Sequence, residues 1–218
     1  MCEQVEVSEP IKLAVIEGVH PFDVIAFQRL FRGIPGIDFY PQTIDNWAAN
    51  WGNRRDTYDA LLFYNMNPDI PAEDPVAEVL DTLGDTSQGV VVLHHALLAY
   101  PRSSAWSAMV GVADRTTFEY HGDQELTVNV AAPDHPIIRD LDDFTVHEET
   151  YVMNEPDGNS EVILTANHPR SMRSIGWTRK YRNARVFNLQ LGHDNRVWEH
   201  PSFRTIIERG IHWVTGRL

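Results

Sequence analysis

The chain has 218 residues, 43% of them hydrophobic, a length and composition that suit one globular domain over 1–218 with a sizeable core. Its net charge of −13, from 31 acidic against 18 basic residues, repels phosphate backbones and argues against nucleic acid and anionic membranes as partners. No apolar run approaches the roughly 20 residues that span a bilayer, and the lone cysteine, Cys2, excludes an internal disulfide and a thiolate metal site.

The N-terminus shows no basic stretch followed by an apolar one. No secretory leader is expected, the cytoplasm is the default location, and residues 1–10 should be loosely ordered. Ile11 to Ile16 is a short β-favouring run, and Gly18, His20 and Pro21 make the loop after it. Asp23 can cap a helix whose Val24, Phe27, Leu30 and Phe31 share one face, stopped by Gly33 and Pro35. Ile37 to Tyr40 reads as a strand, and Pro41 to Asp56, with Trp47 and Trp51, as an irregular insertion. Tyr58 to Tyr64 is a third strand, followed by the Pro68 to Pro75 loop and by Val76, Val79, Leu80 and Leu83 at helical spacing.

Gly89 to Leu93 is continuously apolar and β-branched, as a strand covered on both faces should be. Strands alternating with helices predict an α/β fold, a mostly parallel sheet with helices on both faces. The middle is less regular. Leu126 to Val130, Thr145 to Met153 and Val162 to Thr165 can be extended, and Ile175 to Arg179 and Arg185 to Leu191 flank a polar turn as a hairpin would. Pro201-Ser202 opens a closing helix that turns Phe203, Ile206, Ile207, Ile211 and Val214 inward.

In an open parallel sheet, ligands bind outside the carboxyl ends of the strands. His20 follows the first strand, His94 and His95 follow the central one, and His193 follows a late one, so these histidines can be spatial neighbours. Imidazole titrates near neutral pH and is the expected proton-transfer group. Glu148-Glu149 can supply a carboxylate that orients a histidine or acts as base. Neighbouring strand residues point to opposite faces, so only one of the two should face a site.

From Gly89 onward the chain resembles the trehalose-utilisation (ThuA-like) family, a branch of the class I glutamine amidotransferase-like superfamily. The matching pieces are Leu93-His94-His95-Ala96, Tyr100-Pro101, Trp106, Gly111, Asp134-His135-Pro136-Ile137, Glu149-Thr150-Tyr151 and Trp177. Arg185-Val186-Phe187, Leu191-Gly192-His193, Gly210-Ile211-His212-Trp213 and Gly216 complete the set. The first ~88 residues match only as a strand, a histidine-bearing loop and Tyr58-Asp59 before a strand. The resemblance implies a flavodoxin-like three-layer sandwich with a strained nucleophile elbow after the central strand, where amidotransferases carry a cysteine. Here that place reads His94-His95-Ala96. Without a thiolate there is no acyl-enzyme route, so glutamine amidotransfer is not expected. The resemblance also makes His193 the counterpart of the superfamily's catalytic histidine and retains Glu149 in a Glu-x-Tyr motif. His95 stands where the family often has glycine, and Lys180 to Ala184 replaces a glycine-bearing turn, pointing to a different substrate.

Two functions follow. The first is acid–base chemistry on a sugar or keto-sugar derivative (isomerisation, elimination or hydrolysis), the sugar being implied by the resemblance. His20, His94, Glu149 and His193 would be catalytic, and His95, Tyr100, Trp106, Tyr151 and Trp177 would contact substrate. A variant gives His20, His94, His193 and Glu149 a divalent metal such as zinc. The second is a non-catalytic, degenerate module that binds a sugar or a partner protein. Self-association stays open.

Overall fold

The computed structural model describes residues 9–218, so residues 1–8, with Cys2 and most of the stretch expected to be loosely ordered, lie outside the described residues. Glu9 and Pro10 are exposed and outside regular structure, although Arg217 donates to the Glu9 carbonyl at 2.8 Å.

The first five chain segments build one half of the sheet. Strand β1 (Ile11–Gly18) leads through the His20 loop to helix α1 (Val24–Arg32). The Asp23 carboxylate accepts from the Ala26 amide at 3.0 Å, the cap the sequence signalled. Strand β2 (Ile37–Thr43) runs straight into helix α2 (Ile44–Ala49). The Pro41 to Asp56 stretch is therefore not an irregular insertion throughout: Thr43 caps α2, and Trp47 is buried on its inner face. Strand β3 (Ala60–Asn65), helix α3 (Pro75–Asp81) and strand β4 (Gly89–Leu93) follow, with every residue of β3 and β4 buried.

After β4 the chain makes a tight 3-10 turn over His94–Leu98 and helix α4 (Ser104–Val110). Four strands then come without an intervening helix: β5 (Glu119–Val130), β6 (Phe144–Val152), β7 (Glu161–Ala166) and β8 (Ser174–Tyr181). Strand β9 (Ala184–Leu189), the short helix α5 (Asn195–Trp198) and helix α6 (Pro201–Val214) close the fold.

Among the described residues nine strands form one sheet in the order β2-β1-β3-β4-β9-β8-β7-β5-β6. The expectation of a mostly parallel sheet needs correction. The four pairings from β2 to β9 are parallel and the four from β9 to β6 antiparallel. The physical reason is connection length. Only residues 182–183 separate β8 from β9, and a parallel return needs a crossover of a dozen residues or more. The parallel half has the expected flavodoxin-like order, with β4 between two parallel neighbours and β9 in the same sheet.

Helices cover both faces. Phe27, Leu30 and Phe31 of α1 and Phe203, Ile206, Ile207 and Ile211 of α6 pack with Leu13, Val15, Leu62, Val91 and Phe187 on one side. Trp47, Val76, Leu80, Trp106, Met109 and Val110 pack with Ala14, Ile16, Phe63, Val90 and Val92 on the other. Helix α6 lies close on β4: a Cβ at Gly89 would stand 2.6 Å from Val214 Cβ.

Candidate active site

The central strand ends at Leu93, and the next residue, His94, takes φ +51°, the left-handed region. A β-carbon makes that conformation costly by roughly 1–2 kcal/mol, and the turn holds His94 there through its ring. Its Nδ1 lies 2.6 Å from the Gln190 carbonyl, which can only accept, so the proton sits on Nδ1 and Nε2 presents a lone pair. Around that lone pair stand Tyr151 Oη at 2.8 Å, His193 Nδ1 at 3.2 Å and Glu149 Oε1 at 3.6 Å. Tyr151 Oη is also 3.1 Å from Glu149 Oε1, and His193 Nδ1 is 3.7 Å from the same oxygen.

The histidine expected from the first strand joins them. The His20 ring stacks on His95 with centroids 4.4 Å apart and meets His193 edge-on at 5.7 Å. His95 is fully enclosed between His20 and Tyr64, and its Nε2 reaches the Tyr64 carbonyl at 3.0 Å. It therefore supports the floor of the cluster and has no open face. Tyr100, Trp106 and Trp177 are likewise buried with the β4 side of the core. The Trp106 and Trp177 indoles donate to the Ala96 and Val110 carbonyls, so neither presents a face for a sugar. Those assignments rest on residue type within motifs, and residue type cannot say which layer an aromatic ring enters.

Three contributors are not evident from the sequence. Glu148, on alternation the partner that should face away from Glu149, is fully buried and holds the backbone of the His193 turn: its carboxylate accepts from Gly192 N at 2.6 Å, His193 N at 3.1 Å and Glu149 N at 2.9 Å. All three partners are donors, so the network suits the ionised form, while burial works against it and pushes the carboxyl up to about 8. Gly192 has φ +125°, open to glycine alone, and its carbonyl receives Tyr64 Oη at 3.1 Å and Trp198 Nε1 at 2.7 Å. Arg115 is the third. Buried without a carboxylate partner, it donates to the carbonyls of Leu97, Ala99 and Tyr100 and so holds the turn that follows His94. The Glu148-Glu149 doublet is a visible signal; nothing local marks Arg115.

Electrostatics sort the cluster by role. Burial lowers His94, against its bonds to Glu149 and Gln190, and drives His95 down to about 2, so both rings are neutral near pH 7. Burial alone would raise Glu149, but its bonds and proximity to His94, His193 and Tyr151 outweigh that and hold it below the usual carboxylate range. The result is one carboxylate beside one lone pair, with His193 and Glu149 the partly exposed members, at 29% and 16% of their side chains. Beside them an open groove of about 520 Å³ is lined by Val19, Met66, Asn67, Pro101, Arg102 and Phe118. Val19 adjoins His20, and Phe118 meets Tyr151 edge-on at 6.5 Å.

A strained residue directly after the central strand of a three-layer α/β sandwich, faced by a histidine from a later strand end, is the layout of amidotransferase-like folds. The chain belongs to the trehalose-utilisation (ThuA) family, whose model matches residues 42–214. Among solved structures it resembles a ThuA-like protein from Parabacteroides merdae, with 19% identity, TM-score 0.75, and 94% of this chain and 90% of that one covered. A ThuA-like protein from Bacteroides uniformis follows, with 17% identity, TM-score 0.70 and 98% and 95% coverage. The superfamily link is carried by a GMP synthase subunit from Thermoplasma acidophilum, at 15% identity, TM-score 0.59 and 95% and 94% coverage. At these identities the likeness concerns the fold. No curated protein matches the chain in sequence. Among the described residues, no helix is long and apolar enough to cross a membrane.

Proposed function

We propose that the chain is an enzyme that moves protons on a carbohydrate, a sugar or keto-sugar derivative, by isomerisation, elimination or hydrolysis in the cytoplasm. One observation carries the reading: the His94 lone pair, the Glu149 carboxylate, the Tyr151 hydroxyl and the His193 ring converge at the ends of parallel strands. His193, partly exposed, is the acid or base that meets substrate, and Glu149 is the carboxylate that orients it or takes the proton. Buried and neutral, His94 sets the position of both. The adjoining groove seats the rest of the substrate, with Val19 and Phe118 against its apolar faces. The sugar class is supported by the family's description, trehalose utilisation.

Incubating the purified protein with keto derivatives of disaccharides in D₂O tests this by NMR. Proton abstraction next to a carbonyl incorporates deuterium even where net turnover is slow. Exchange or turnover that disappears in His193→Ala is the expected result. A second reading, a binding module without turnover, is favoured by the elbow, where His94 occupies the place of an amidotransferase thiol. Sugar binding with neither exchange nor turnover across the panel selects that reading and rejects the first.

A further inference from the structure

We propose that His94 Nε2, His193 Nδ1 and Glu149 Oε1 are three ligands of one divalent transition metal of the zinc class. The fourth position is left for water or a sugar oxygen. The proposal goes beyond the acid–base reading of the same cluster and rests on it only for what fills that open position.

The geometry points to a metal in three ways. First, the separations fit. Two ligands at about 2.0–2.1 Å from a tetrahedral zinc stand about 3.3–3.4 Å apart. The three observed edges are 3.2 Å, 3.6 Å and 3.7 Å, and all three ligand atoms lie within 4.8 Å of one another. Second, each ligand already has the outer partner that orients ligands in metal sites. His94 gives its Nδ1 proton to the Gln190 carbonyl, which leaves Nε2 free to coordinate. Glu149 Oε1 receives the Tyr151 hydroxyl. The main chain of His193 is held by the Glu148 carboxylate. Third, the open side is in the right place. His94 is wholly enclosed, whereas His193 and Glu149 reach solvent, so the fourth position faces outward beneath His20. Two imidazoles and a carboxylate suit zinc, cobalt or iron better than magnesium or calcium, which take oxygen ligands.

The cluster without metal has a weaker logic. Only the Tyr151 hydroxyl and one His193 ring proton are available to the His94 lone pair and Glu149 Oε1, and both stand within reach of both acceptors. A cation resolves that ambiguity by using both lone pairs at once.

The test uses protein free of affinity histidines, stripped with chelator and then titrated with ZnCl₂ and CoCl₂. Uptake of one equivalent per chain is expected, with the visible absorption of tetrahedral Co²⁺ and a rise in thermal midpoint. Glu149→Gln and His193→Ala should bind at least about tenfold more weakly. Both side chains are partly exposed, and unfolding curves of the stripped variants confirm that they fold. No saturable uptake by the wild type, or wild-type affinity in both variants, overturns the proposal. The acid–base reading fails separately: full turnover in chelator removes the metal and keeps that reading, while bound metal with no turnover does the reverse.

Discussion

In the parallel half of the sheet every site residue follows the end of a strand: His20 after β1, His94 after β4 and His193 after β9. In the antiparallel half the site residues Glu148, Glu149 and Tyr151 sit inside β6. Strand β6 is the outer edge of the sheet, four pairings away from β9, so in a flat sheet it would stand ~19 Å away. Yet Glu148 touches Gly192 at 2.6 Å and Tyr151 touches His94 at 2.8 Å. The sheet manages this because β5 meets β7 only through Val128, Asn129 and Val130, while its remaining length pairs with β6. The β5–β6 ribbon is thus anchored at one end and curls over the strand ends. One half supplies imidazoles by topology, and the other brings carboxylates by bending.

Variants can break this division at graded cost. The largest effect is expected from His193→Ala, which removes the partly exposed group of the parallel half. Turnover should fall about 10²–10⁴-fold, with the urea midpoint nearly unchanged, because a rim histidine makes few core contacts. Full activity would end the acid–base reading.

Glu148→Ala attacks the contact between the halves. It strands the buried Gly192 amide and leaves the His193 amide without its partner, so a loss of roughly 2–4 kcal/mol in urea unfolding is expected, with activity lost as the His193 turn relaxes. Glu148→Gln keeps one acceptor oxygen and should recover part of the stability. Equal stability of Glu148→Ala and wild type would show that the ribbon does not hold the turn.

Gly89→Ala sharpens the comparison from the other side, because it strains only the parallel half. The new methyl would meet the Val214 side chain at 2.6 Å and its backbone carbon at 2.7 Å, so helix α6 must shift. The expected cost is about 1–3 kcal/mol in thermal or urea unfolding. Per folded molecule, activity should hold, since the site is at the opposite end of β4; a site defect larger than the stability loss would argue against that separation.

The smallest effect belongs to Arg196, which joins Asp123 on the ribbon at 2.6 Å and Asp194 beside the site at 2.8 Å. The pair is exposed, so Arg196→Ala should cost less than about 1 kcal/mol, and the difference should shrink in high salt. A large, salt-insensitive loss would mean that this link, and not Glu148, anchors the ribbon. Cys2→Ala should leave activity unchanged, because the elbow holds an imidazole where a thiol would be required.

Much of the parallel half was legible in the residues themselves. Continuous apolar runs, the Asp23 cap and the inward stripe of α6 are local signals, and local sterics and burial decide them. Placing histidines at strand ends was equally legible, since a parallel strand order carries loops from distant segments to one edge. The antiparallel half was not. A strand's alternation records that one face is buried but not which partner covers it, so neither the direction of β5 to β8 nor the curl of the ribbon could be read. For the same reason alternation wrongly gave Glu148 and Glu149 separate fates: it describes the two faces of a flat strand, whereas the turn at Gly192 passes the edge of β6 and meets both. Residue type marked Trp106, Trp177 and Tyr151 alike as aromatic, and only packing put two in the core and one against His94. Local pattern determined which elements form and which ends carry imidazole. The long-range pairing of the edge strand, a property of no single segment, decided which carboxylates meet them.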